Sequence, residues 1–377
     1  MTKRVAVVGA GAVGATAAFD LALRDAEVTL YERGEVASGS TGRAAGVCYD
    51  AFADDLDAEI AGDAIERFRT FHDNGEFEFH ESAFVRLVRE GDDERERIVR
   101  EQVERMQERG TVVLQMEPDD LAERFPSIRT DDVAVAAVAG ASGYTDPASY
   151  ARLLSVLAKD QGADLRTNRE VAVGTDPLRV EGVGGAGHRV EYDAVLVAAG
   201  AHTKAVLAEA GHSIAMKPYR VQATTADAAH DGPMIHDATG GFYLRPHPDG
   251  ILAGDGTETV EADPDDYDRD ADEGFGEDLA ERAAGRLSTV AGTPDPHEAW
   301  AGLCTATPDG DPLVGELEDG LFVATGFQGH GFTRAPAIGE RVALEILGGD
   351  GIEAYEPGRF AGDEDFEIVE GMAIEEE

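Results

Sequence analysis

Residues 3–32 read KRVAVVGAGAVGATAAFDLALRDAEVTLYE. Arg4 to Val8 form a short apolar run rich in β-branched residues, the pattern of a buried parallel strand. Gly9-Ala10-Gly11-Ala12-Val13-Gly14 follows at once. Residues 15–24 then carry a helical apolar spacing through Ala18, Leu21 and Ala22, and residues 27–30 predict a second strand with Glu32 at its C-terminal end. A lone G-x-G-x-x-G says little in a chain with 45 glycines. Set between strand and helix, with an acid 18 residues after its last glycine, it describes a dinucleotide cradle. Gly9 permits the tight turn, Gly11 lets a pyrophosphate approach the backbone, and Gly14 lets helix and strand pack closely. The N–H groups of the first helical turn have no intrahelical partner and point at the anion. Glu32 is placed to accept hydrogen bonds from an adenosine ribose, and its charge repels a 2′-phosphate.

Composition narrows the possibilities. At 377 residues the chain can build two domains with their own cores. No basic-then-apolar leader precedes the cradle and no apolar run approaches the roughly 18 residues of a membrane span, so a cytoplasmic protein is expected. The two cysteines, Cys48 and Cys304, are far apart and form no C-x-x-C pair, which argues for a reducing compartment and against a metal site. Formal charge is −44, from 76 acids against 32 bases, a field that repels nucleic acid and anionic lipid. Only Lys3, Lys159, Lys204 and Lys217 are lysines. An acid-dense, lysine-poor surface is similar to that of salt-loving archaeal proteins, whose self-repulsion is screened at multimolar salt.

Residues 37–46, ASGSTGRAAG, form a loop of small residues that offers Ser40 and Thr41 as donors. Residues 52–71 predict a helix, 77–80 and 84–88 strands, 94–109 a charged helix and 118–125 a short one; together they read as part of a second domain inserted after the first βαβ unit. Residues 133–139 predict a strand, and Asp146-Pro147 starts a helix as N-cap and first helical residue. Short strands are expected at 164–166, 170–173, and 178–180 with 188–191 around a turn at 182–187. Residues 194–198 predict a buried strand ending in Ala199-Gly200, a second strand-to-glycine junction facing the same ligand. Residues 216–226 open a further run of strands. A hairpin is expected at 241–245 and 251–253, where alternation puts Tyr243 and Arg245 on one face and Phe242 and Leu244 on the other. The acid run 261–272 reads as a solvated loop and 275–287 as a surface helix. Thr307-Pro308-Asp309-Gly310 is a turn. Strand 321–325 runs into GFQGHGFT at 326–333 and a helix at 334–347, whose N-terminus favours negative charge on a ligand. The acidic tail 364–377 is expected to fray.

Four of these pieces, residues 5–32, the SGSTGRAAG loop, DAVLVAAGAHT at 193–203 and the stretch from Thr307 to Phe332, resemble the D-amino-acid oxidase superfamily of FAD-dependent oxidoreductases, in particular its glycine oxidase and sarcosine oxidase branches. The resemblance implies an α/β fold. A Rossmann-like, glutathione-reductase-type FAD-binding domain would comprise 1–50, 140–215 and 300–350. An inserted α+β substrate domain with an antiparallel sheet would comprise 51–139 and 216–299, followed by an acidic tail, 351–377. It implies that Gly9, Gly11, Val13 and Gly14 hold the pyrophosphate, with Ala199 and Gly200 beside it, Glu32 the ribose, and Val171 the adenine. Ser40, Thr41, Arg43, Ala45 and Gly46 would line the ribityl and flavin edge, and Gly326, Gly329, His330, Gly331, Phe332 and Thr333 the flavin ring. Members that tether the flavin use a His and a Cys at positions that are Arg43 and Gly302 here, so FAD is expected to be non-covalent.

The implied chemistry is hydride removal from the CH–NH group of a small amino acid or N-methyl amine, giving an imine, with electrons passing to O2 or another acceptor. Two alternatives share the fold: a 2-hydroxy-acid dehydrogenase and an FAD-holding electron-transfer subunit of a larger complex. The arginines that anchor a carboxylate in glycine oxidases fall on Cys304 and Gly329, a sarcosine oxidase lysine falls on Thr333, and its oxygen-activating lysine falls near Leu252. Arg245, with Tyr243 beside it, is therefore expected to replace the missing anchors, and His330 is a candidate flavin neighbour. Tyr243, Arg245 and His330 are the candidate catalytic residues.

Overall fold

The RVAVV run becomes the strand Arg4–Val8 near the middle of a six-stranded sheet in a computed structural model that describes residues 2–183, 189–369 and 371. The sheet order is Leu313–Glu318, Leu321–Thr325, Ala194–Val197, Arg4–Val8, Glu27–Tyr31, Asp164–Arg166. All neighbours run parallel except the edge pair of Leu313–Glu318 with Leu321–Thr325. Both faces are covered, which is why these strands read as unbroken apolar runs. Val5 and Val7 face the helices Ala12–Leu23 and Gly331–Ile346. Ala6 and Val8 face a three-stranded antiparallel sheet of Val171–Thr175, Leu178–Gly182 and Arg189–Glu191. The two helices approach so closely that a Cβ on Gly339 would lie 2.5 Å from the Thr16 Cβ.

A second sheet of eight strands is ordered Pro296–Ala306, Lys217–Ala226, Gly250–Thr257, Phe242–His247, Met234–Asp237, Phe84–Arg89, Val133–Ala139, Val113–Met116. It is antiparallel save for the pair Met234–Asp237 and Phe84–Arg89. Helix Phe275–Arg286 covers the face that carries Phe242 and Leu244, through Leu279, Ala280 and Ala283. Beneath it the fully buried Asp237 receives Arg89 and Arg286, each at 2.8 Å, while Arg286 also reaches Asp132 at 2.8 Å.

The structure departs from the sequence-based expectations, or adds to them, in four places. The expected domain boundary at residue 300 falls inside the strand Pro296–Ala306, which pairs along its length with Lys217–Ala226, so the large sheet extends to Ala306. Of residues 77–80 only His80 is in a strand, the pair His80–Glu81. The acid run 261–272 is the exposed loop expected, with anchoring its composition does not announce: the nearly buried Arg220 donates to the Asp268 and Asp270 carbonyls (3.0 and 2.8 Å) and to the Asp272 carboxylate (3.0 Å), while Asp265 meets Arg33 (2.9 Å) and His202 (3.2 Å). A guanidinium drawn into the sheet needs acceptors, and this loop supplies them. The tail is likewise held as far as residue 369. Tyr355 is buried with its hydroxyl 2.5 Å from Asp57, Lys217 donates to the Phe366 carbonyl, and Ile368 packs against Tyr219 and Ala306. Residues 184–188 of the expected 182–187 turn region, and residues 370 and 372–377 of the tail, lie outside the described residues.

Candidate active site

The glycine turn has the steric signature of a cradle. Gly9 has φ +106°, and a Cβ there would sit 2.4 Å from the Ala198 carbonyl oxygen. A Cβ on Gly14 would sit 1.9 Å from the Gly9 oxygen, and one on Gly11 3.0 Å from Thr41 Oγ1. Thr41 Oγ1 in turn accepts from the Ala12 amide at 3.0 Å, drawing the SGSTGRAAG loop onto the first turn of the helix that also carries Val13. Glu32 spans the turn: one carboxylate oxygen accepts from the Ala10 amide (2.9 Å) and the other from the Gly34 amide (2.8 Å). Each oxygen keeps lone pairs for a ribose hydroxyl. Gly200 (φ +57°) brings the second strand-to-glycine junction to within 4.0 Å of Ser40 Oγ, measured from the Cβ it lacks. Arg169, two residues before Val171, donates its amide to the Glu32 carbonyl at 2.8 Å. Distant segments thus converge on the glycine turn, and bare glycine surface at a helix N-terminus fits a pyrophosphate.

The cradle adjoins a cavity of about 140 Å³ between the SGSTGRAAG loop, one face of the eight-stranded sheet and the turn before Gly331–Ile346. Of the residues expected along the flavin, Arg43, Ala45, Gly46, Gly329, His330, Phe332 and Thr333 line it. Gly326 and Gly331 do not; the first backs onto Thr307 and the second onto Phe327, so their role is to let the turn close. Thr333 Oγ1 donates to the Val47 carbonyl at 2.8 Å, fixing the helix start to the strand Val47–Tyr49. The final helix begins at Gly331 with His330 as N-cap, and His330, Phe332 and Thr333 at its start line the cavity, where first-turn amides have no intrahelical partner.

His330 is buried, with Nε2 2.9 Å from the Tyr49 hydroxyl. Burial first, and the Arg334 and Arg86 charges second, hold its imidazole well below the usual range, so it is neutral at pH 7. Tyr243 lines the cavity opposite Gly254, where a Cβ would lie 2.2 Å from the tyrosine hydroxyl; the missing side chain is the space the ring occupies.

Arg245 shares the Tyr243 face, as alternation requires, yet it is not on the cavity wall. Its Nε donates to the Ala45 carbonyl at 2.5 Å, its Nη1 to the Pro246 carbonyl at 2.7 Å, and its Cζ stands 5.2 Å from the Tyr144 ring centre. Two residues along a strand is a displacement of about 7 Å, and a buried guanidinium takes the nearest carbonyls. Burial brings it down to about 10.

Sequence reasoning missed several wall residues: Tyr49, Tyr219, Gln222, Trp300 and Gln328. Alternation around Arg220 could have placed Tyr219 on the opposite face, whereas Gln222 bonds Asp272 beside Arg220 and meets the wall next to the register shift at Val221/Gln222; Trp300 is the single tryptophan. Their convergence depends on which strands pair, which local pattern does not state. Among the described wall residues Arg43 is the cation and Asp255 the acid, and Asp255 is bonded to Arg282. Trp300 Nε1 donates to the Arg43 carbonyl at 3.0 Å. No helix among the described residues is long and apolar enough to cross a membrane.

Comparison with known proteins agrees with this geometry. The family described as FAD dependent oxidoreductase, DAO, matches residues 4–344. A tRNA 5-methylaminomethyl-2-thiouridine biosynthesis bifunctional protein from Maricaulis maris is 30% identical over 371 residues, 95% of this chain and 55% of that protein, so the chain spans about half of its length. Glycine oxidase from Geobacillus kaustophilus is 26% identical over 91% of this chain and 93% of its own. The crystal structure of L-proline dehydrogenase from P. horikoshii superposes with a TM-score of 0.85 at 27% identity, covering 95% of this chain and 97% of that one. The cradle, the cavity beside it and these matches establish that the chain is an oxidoreductase belonging to the DAO family of FAD-dependent enzymes.

Proposed function

We propose that this chain oxidises the CH–NH group of a small amino acid or N-methyl amine to an imine, which water then hydrolyses to a carbonyl compound. Bound FAD supplies the two-electron acceptor for the hydride. The observation that carries the reading is the chemistry of the cavity wall: Tyr49, Tyr219, Tyr243, Trp300 and a neutral His330, with Asp255 neutralised by Arg282. Hydride transfer from an uncharged amine needs orientation and a water-poor site rather than an acid/base dyad. We assign Tyr243 and His330 to substrate contact, and the amides at the start of Gly331–Ile346 to negative charge developing at the cavity. Glycine and L-proline, named for two of the relatives, both carry hydrogen on the carbon beside nitrogen.

On this reading the glycine turn, Glu32, Ser40, Thr41, Val171, Ala199 and Gly200 hold the nucleotide end of FAD, and residues 43–47 and 329–333 border its ring. Arg43 and Gly302 offer no nucleophile for a tether, so the cofactor is non-covalent. Electrons leave to O2 or another small acceptor. Among the described residues neither Cys48 nor Cys304 forms a disulfide, which fits a reducing, cytoplasmic setting.

The test is turnover with an artificial dye acceptor across matched panels of amines and 2-hydroxy acids, reading the carbonyl product. Carbonyl release with ammonia or methylamine from the amines supports the proposal. Turnover confined to hydroxy acids overturns it.

A further inference from the structure

We infer that Arg245 is a positioning residue that sets the loop 43–47 before FAD binds, and that it does not choose the substrate. The inference rests on the reading that this loop borders the flavin.

The loop is gripped from two sides. On one, a Cβ on Gly46 (φ +71°) would lie 2.0 Å from the Thr145 carbonyl oxygen, and the Thr145 amide donates to the Gly46 carbonyl at 3.0 Å. On the other, Arg245 Nε reaches across 200 residues of sequence to the Ala45 carbonyl. Among the described residues that carbonyl receives its hydrogen bond from Arg245. Ala45 follows the short helical turn Ser40–Arg43 and precedes the strand Val47–Tyr49, so the guanidinium holds the link between these two elements.

The charge inventory supports a dedicated task. Arg245 is 5% exposed, and among the described residues none of the ion pairs involves it. A buried cation without an anion is costly unless dipoles compensate it. Here the Ala45 and Pro246 carbonyls and the face of Tyr144 do so. Its Nε is thus turned to the loop and its Nη1 to its own strand, while Ala45 and Gly46 themselves line the cavity. An ångström of slack in that wall misplaces reacting atoms, which makes loop position a catalytic matter even though Arg245 touches no reacting group.

Arg245→Gln and Arg245→Lys test this. Titration of apoprotein should show FAD binding weakened about tenfold or more in the Gln variant, the worth of a charge-assisted hydrogen bond, with an altered visible circular dichroism of bound flavin. Lysine, which keeps the charge and a donor, should recover part of the affinity. The ratio of KM for a carboxylate-bearing amine to that for its carboxylate-free analogue should stay within about twofold of wild type. Unchanged FAD affinity and spectrum, or a KM loss confined to the carboxylate-bearing substrate, would overturn the inference. Hydrogen exchange on wild-type apoprotein needs no variant: peptides covering 43–47 should be protected before FAD is added, and free exchange that slows only on adding FAD would contradict preorganisation. Wild type that takes up no FAD would strike the cofactor reading instead, leaving the apoprotein exchange to judge the Arg245 contact.

Discussion

Glu32 links the glycine turn to the nucleotide it serves, because its two oxygens hold the Ala10 and Gly34 amides while retaining acceptor capacity. Glu32→Ala should therefore weaken FAD by roughly 1.5–3 kcal/mol, read by titrating apoprotein; wild-type affinity would mean the ribose is held elsewhere. Asp311 illustrates the opposite case, a carboxylate the fold disfavours. Burial first, then the charges of Asp57 and Asp309, push it up to about 6 from 3.8. A folded pKa above the unfolded one means that the fold prefers the neutral acid, so its contribution is present below pH 4 and is lost as pH rises through 6. Asp311→Asn should stabilise the protein at pH 7.5 by about 1 kcal/mol, after allowance for screening at a partly exposed site. The gain should vanish below pH 4, and equal melting temperatures at pH 7.5 would contradict it. Single residues were readable from sequence where their job is local, as with Gly14, whose absent side chain answers to the Gly9 oxygen within the same turn. Arg245 was not: alternation assigned its face correctly, but a long flexible side chain selects its acceptor from a segment 200 residues distant.

Strands and helices followed their periodicity closely, as with Arg4–Val8, Val133–Ala139 and Leu321–Thr325, because burial on one or two faces imposes a pattern that a short window reveals. The acid run 261–272 is the exposed loop its composition indicated, but its anchoring escaped because nothing in that composition signals that Arg220, on the strand Lys217–Ala226, lacks water. The strand Pro296–Ala306 escaped for a related reason: its first half is exposed and alternates weakly, and it is recruited by edge pairing to Lys217–Ala226. Elements locked by buried charge should be the most sensitive to mutation. Asp237 joins a strand, a neighbouring strand and the helix Phe275–Arg286 through Arg89 and Arg286. Asp237→Ala leaves the 3% exposed Arg286 side chain with Asp132 as its remaining carboxylate and the Arg129 carbonyl, and should cost about 3–5 kcal/mol in denaturant unfolding. A loss under about 1 kcal/mol would show that water or rearrangement replaces the carboxylate.

For the whole molecule, the −44 formal charge outweighs the pairing visible on the surface. Arginines such as Arg100, Arg341 and Arg69 each draw two acids, yet the surplus of acids faces solvent and repels itself. Salt screens that repulsion over a few ångströms at molar strength. The unfolding midpoint should rise when KCl is raised from dilute buffer to molar concentration; an unchanged or falling midpoint would show that the exposed ion pairs matter more than the net field. The two large sheets were legible through the family resemblance carried by four short motifs, three of which contain a strand-to-glycine junction. The cavity between the sheets was not, since it exists only where Tyr219, Tyr243, Trp300 and His330 meet. What that cavity does is tested most directly by mixing the purified yellow protein anaerobically with excess amine substrate and following flavin absorbance. Stoichiometric bleaching by an amine or amino acid bearing hydrogen on the carbon beside nitrogen, slowed when that hydrogen is deuterium, is the expected result. A flavin that stays oxidised with every amine, or that is bleached only by 2-hydroxy acids, would contradict it.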